Sequence, residues 1–87
     1  MPHVGELVEV YAPASGEVEW FAVDGQEVEL DEVLGIVIDK EGRRWDIIAD
    51  PDLKGVRGIL LILPKVVWEV GVGATLAYIR ITRITRA

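Results

Sequence analysis

Catalysis and metal binding need nucleophiles, bases or ligands held close together, and this sequence supplies few of each. His3 is its single histidine and stands near the N-terminus. Catalytic zinc normally takes three protein ligands, mostly histidine or acid, so His3 reads as a solvent-facing terminal residue. Ser15 is the single serine, and Ala14-Ser15-Gly16 has the composition of a turn; a hydroxyl with no assignable base is inert as a nucleophile. The absence of cysteine removes disulfides, thiolate metal sites and thiol nucleophiles together. Glu17 and Glu19, and likewise Glu27 and Glu29, are spaced by two, which on a strand places each pair on one outer face as ordinary solvated charges. Asp50-Pro51-Asp52 reads as a polar loop in preference to a calcium site. No catalytic residue and no metal site is expected, and the chain is read as a non-enzyme.

The elements that would position these residues are strands. Leu7 to Ala12 ends at Pro13, Gly16 to Val23 ends at the turn-forming Asp24-Gly25, and Glu27-Val28-Glu29-Leu30-Asp31 alternates with Val28 and Leu30 facing inward. Leu34 to Ile38 enters Asp39-Lys40-Glu41-Gly42, where the glycine suits a left-handed turn position, and Arg43 to Ala49 returns. Asp50 to Gly55 is a loop. Strands follow over Val56 to Leu63, Val66 to Val70 and Leu76 to Thr82. Short strands at close intervals indicate an all-β sandwich or barrel. The expected domain is single and spans residues 1–87, with a core over about 7–82 and a tail at 83–87.

The two halves echo each other. Ala12-Pro13-Ala14-Ser15-Gly16-Glu17-Val18 is answered by Ala49 to Val56 with a longer loop, and Val28 to Val37 by Val70 to Ile79. Two similar units of about forty residues would close one core that neither could bury alone.

Charge and hydropathy narrow the partners. The net charge is −6, from nine glutamates and six aspartates against nine basic residues, and it argues against a nucleic-acid backbone as partner. Arg80, Arg83 and Arg86 recur every third residue and read as a solvated strand end or tail. The apolar run from Gly58 to Trp68 holds a proline and a lysine and falls short of the roughly 20 residues of a helical membrane span. The N-terminus lacks a secretory pattern, so the expected setting is cytoplasmic. Asparagine is absent, Gln26 is the one glutamine and Met1 the one methionine, a composition like that of heat-resistant proteins or designed ones.

Ala12-Pro13-x-x-Gly16-x-Val18, then Asp24-Gly25, the strand opening Leu34-Gly35-Ile36, a turn, Ile47-Ile48-Ala49, Gly55-Val56 and Val70-Gly71 leading to Leu76 and Ile79 together resemble the lipoyl/biotinyl-like domain family. The nearest likeness is to the C-terminal β-domain of the succinylglutamate desuccinylase/aspartoacylase family, carried by Leu34-Gly35-Ile36-Val37-Ile38-Asp39 with Gly42, and by Pro64 to Val67 ahead of Gly71. The resemblance implies a flattened β-barrel/sandwich hybrid of two quasi-symmetric halves. It implies a module acting in structure or protein interaction, a detached accessory of a zinc hydrolase whose catalytic domain has no counterpart here. It also implies an alternative. Carrier members attach lipoyl or biotinyl through an amide to a hairpin lysine between the halves, and Asp39-Lys40 stands at that place. The run from Lys40 to Ala49 is about two residues longer than the carrier pattern, and turn lysines also serve solubility.

Trp20, Trp45 and Trp68 either fill the core or anchor an interface. Trp45 with Arg44, on the hairpin, is the candidate partner contact. Ile59 to Leu63 reads as a strand buried on both faces or covered by a second subunit, so the expected partner is another protein or a second copy.

Overall fold

The computed structural model describes residues 2–64 and 69–85. Among them lie eight strands and no helix: β1 (Leu7–Tyr11), β2 (Gly16–Trp20), β3 (Glu27–Glu29), β4 (Gly35–Ile38), β5 (Arg44–Ile47), β6 (Val56–Ile62), β7 (Glu69–Val70) and β8 (Thr75–Ile84). The β-branched and alternating segments became strands, and the glycine-, proline- and aspartate-containing stretches became the connections between them. Of the stretch Val66 to Val70, Glu69 and Val70 form β7; the remainder, with Trp68, lies outside the described residues, as does Arg86.

All pairings are antiparallel and fall into two four-stranded sheets. The first has the order β1-β8-β6-β3 and the second β5-β4-β2-β7. No strand of one sheet pairs in register with a strand of the other among the described residues, so the ladders do not close into a barrel. Exchanging each of β1 to β4 with the strand four later converts one order into the other. Among the described strands, every sequential connection crosses between the sheets except β4 to β5, a hairpin within the second. The sequence's midpoint therefore projects as the one sequential hairpin.

The inward faces meet in a single cluster. Val10, Val28, Val56, Leu60, Ala77, Ile79 and Ile81 come from the first sheet and Val37 and Ile47 from the second, while Leu30 and Leu34 enter from the β3–β4 connection. Full burial of each large aliphatic side chain is worth about 1.5–3 kcal/mol before entropy is counted. Val28 and Leu30 are buried, as the alternation requires, and Trp20 packs against the cluster.

Two glycines fix equivalent crossovers. Gly16 opens β2 against the carbonyl of Ile38 at the end of β4, and Gly55 stands before β6 against the carbonyl of Thr85 after β8. A Cβ on Gly55 would lie 2.6 Å from the Thr85 oxygen, and its φ of 74° already favours glycine.

Element ends differ from the expected ones where tertiary bonds intervene. β2 stops at Trp20 because the Phe21 and Ala22 amides both donate to the Leu34 carbonyl, at 2.9 and 3.1 Å, and turn the chain out of the ladder. The Asp24-Gly25 turn then docks on the other sheet, with Asp24 Oδ1 accepting from the Ile62 amide at 2.8 Å. β8 continues to Ile84, so Arg83 belongs to a paired strand and not to a tail; it lies opposite Arg57 and contacts Glu27 at 3.6 Å.

Candidate functional site

The β4–β5 hairpin is shaped by Asp39. The Asp39 amide donates to the Arg43 carbonyl at 3.0 Å, and the Gly42 amide donates to the Asp39 carbonyl at 3.0 Å. Gly42 has φ 81°, so Lys40-Glu41-Gly42 is a three-residue loop that ends in the left-handed residue such loops require. The Asp39 carboxylate accepts four further bonds. Oδ1 receives the Glu41 and Arg43 amides at 2.9 Å each, and Oδ2 receives Arg43 Nε at 3.0 Å and Trp45 Nε1 at 2.9 Å. Donation from the Trp45 indole, with the Arg43 and Glu41 donors added, holds the Asp39 carboxyl down at about 2.

Lys40 is the first loop residue and is exposed. Its amine has no hydrogen-bond or ion-pair partner among the described residues. A cleft of about 390 Å³ runs beside it, between the hairpin and the Ala14–Gly16 turn, with Trp45 and Val70 among its walls. Chemically, the hairpin is a hydrogen-bonded pedestal for one primary amine.

Trp45 is 40% exposed, but it is tied into that pedestal. Trp45 pairs with core-facing Val37, whereas Arg44 pairs with Ile38, so successive residues of β5 point to opposite faces. Arg44 and Trp45 therefore do not form one contact patch. The arginine beside the indole is Arg43, with its guanidinium carbon 5.9 Å from the ring centroid. Asp39 as the organiser of Arg43 and Trp45 went unseen in the sequence. Its signal is the three-residue loop ending in Gly42, which puts Asp39 opposite Arg43 and leaves Trp45 two residues on, facing the same side.

The other polar candidates have structural partners. Ser15 Oγ accepts the Val72 amide at 2.9 Å, and Asp50 Oδ1 accepts the Asp52 amide at 3.0 Å within its loop. The His3 amide bonds Glu6 Oε1 at 3.1 Å, while the residue itself is exposed. Glu27 and Glu29 clasp Arg57 at 3.4 and 3.3 Å. Glu17 and Glu19 stand exposed on the outside of the second sheet.

A second feature lies on the outside of the first sheet. The register sets Leu7, Arg80, Ile59 and Glu27 in one row and Glu9, Tyr78 and Leu61 in the next. Leu60 between Ile59 and Leu61 is fully buried, but those two neighbours are only partly covered, and Leu7 and Tyr11 at the edge are each 54% exposed. β6 is thus buried on one face and half-bare on the other. Glu9 accepts from Thr75 Oγ1 at 3.0 Å and, by hydrogen bonding the Tyr11 phenol, raises the pKa of that phenol.

Compared with protein-family models, with curated proteins and with solved structures, the chain matches none.

Proposed function

We propose that this chain is a non-catalytic module on the lipoyl/biotinyl-like plan, a flattened barrel-sandwich of two quasi-symmetric halves that works by packing against protein. The strand orders related by an offset of four support the two-half plan. The observation that carries the interaction role is the half-bare apolar face of β6, an interior strand whose Ile59 and Leu61 face outward. An antiparallel sheet left in water ordinarily shows polar residues there. A setting as a detached accessory of a zinc hydrolase of the succinylglutamate desuccinylase/aspartoacylase type, in the cytoplasm and without nucleic-acid or membrane partners, accords with the motif order and the −6 charge.

One observation favours a second reading. Lys40 stands exposed on the one sequential hairpin, between the halves, where an attached lipoyl or biotinyl group would swing clear of both sheets. Intact mass after co-expression with lipoate and biotin ligases separates the two. The module reading expects the unmodified mass. An added prosthetic-group mass that disappears in Lys40→Arg overturns it in favour of the carrier.

A further inference from the structure

We infer that the partner of the first sheet's outer face is a second copy of this chain, bound face to face in a twofold dimer centred on Leu61 and Tyr78. This rests on the interaction-module reading and names the surface and its occupant.

The equivalent strands of the two sheets differ in the relevant positions. β2 and β6 occupy matching places in their sheets under the offset of four, yet the outward residues of β2 are Glu17 and Glu19, while β6 carries Ile59 and Leu61 beside a single outward charge, Arg57. The strand order is alike and these outward residues differ in kind. On the second sheet the outward Ile36, paired with Glu19 and Asp46, is covered to 5% exposure, whereas Ile59 and Leu61 on the first sheet stay partly exposed.

Charge chooses the occupant. Along the outside of the first sheet stand three acids, Glu9, Glu27 and Glu29, and three arginines, Arg57, Arg80 and Arg83, so the face is neutral on a chain of net charge −6. A strongly basic or acidic partner would be matched by a face of one sign. A balanced face is complemented by itself when a twofold axis in the interface plane sets each sign against the other. Arg57 and Arg83 are already engaged by Glu27 and Glu29. Arg80 has no ion-pair partner among the described residues and lies one row from Glu9 on the neighbouring strand. A diagonal axis between those rows brings Arg80 of each copy to Glu9 of the other and leaves the apolar side chains at the centre.

The size fits as well. The lengths of β1, β8, β6 and β3, at about 3.3 Å per residue and about 4.8 Å between strands, give a projected face of about 400 Å². Side-chain relief enlarges it toward the roughly 500 Å² per partner that specific interfaces need at minimum.

Sedimentation velocity over a wide concentration range tests the inference, with circular dichroism confirming folding. The wild-type chain is expected to dimerise and Leu61→Glu to weaken the dimer about 100-fold or more. Arg80→Glu and Glu9→Arg, both at exposed positions, are each expected to weaken it, and the double exchange to restore it. A chain that stays monomeric at every concentration overturns the inference, as does a dimer indifferent to Leu61→Glu or one in which the double exchange restores nothing. These outcomes are independent of the mass at Lys40, which decides the module reading.

Discussion

Asp39 Oδ2 accepts the indole N–H of Trp45 at 2.9 Å, while the other oxygen of the same carboxylate gathers the Glu41 and Arg43 amides. One side chain thus closes the loop and pins the aromatic residue that leads out of it. The sequence pattern showed the turn but not its keystone.

Asp39→Asn keeps the size of the side chain but removes its charge and one acceptor. The loop amides can still be served by the remaining oxygen, whereas Arg43 Nε and the Trp45 indole lose theirs. The expected result is a melting temperature lowered by a few degrees, an upfield shift of the Trp45 indole proton and red-shifted Trp45 emission. Nuclear magnetic resonance and thermal denaturation check it.

The same carboxyl sets an acid limit. Its pKa falls from 3.8 to about 2 on folding, so folding favours the charged form. The stability it contributes is complete above pH 3.8 and drains away as pH falls through about 2. The Trp45 indole proton is expected to titrate with a midpoint near pH 2, and a midpoint close to the ordinary carboxylate value would show that the clamp does not form.

Glycine at positive φ has two separable costs, and two positions tell them apart. Gly42 has φ 81° and open space for 4 Å around the place a methyl would take, so Gly42→Ala is expected to cost only the conformational preference, about 1 kcal/mol. Gly55→Ala adds a collision with the Thr85 carbonyl, and about 2–3 kcal/mol is expected. Urea denaturation of both variants measures the difference.

Neighbouring leucines on β6 should respond in opposite ways. Leu60 is fully buried, and Leu60→Ala is expected to cost about 2–5 kcal/mol of folding stability. Leu61→Ala, facing outward, is expected to cost less than about 1 kcal/mol in the monomer and to weaken self-association instead. Denaturation at low concentration and sedimentation at high concentration separate the two effects.

Much of the fold was legible because alternation is local. Val28 and Leu30 announce an inward face by their own spacing, and Gly42 announces its turn by its own chemistry. Which sheet a strand joins was not legible, since that depends on remote backbone bonds. Phe21 looks like strand but leaves the ladder because Leu34 offers a carbonyl to its amide. Arg83 looks like a tail but is held beside Arg57 by Glu27. At the candidate site, Lys40 was placed on its hairpin by the sequence, whereas Arg44 and Trp45 were joined by adjacency although a strand's pleat separates them.

Concentration-dependent chemical shifts offer the most direct test of where this module makes contact. Backbone and side-chain shifts of Ile59, Leu61, Tyr78, Arg80, Leu7 and Tyr11 are predicted to move together as the chain is concentrated, while Lys40 and Phe21 stay fixed. Shifts that move at the hairpin or around Phe21 instead, or nowhere, would contradict the account.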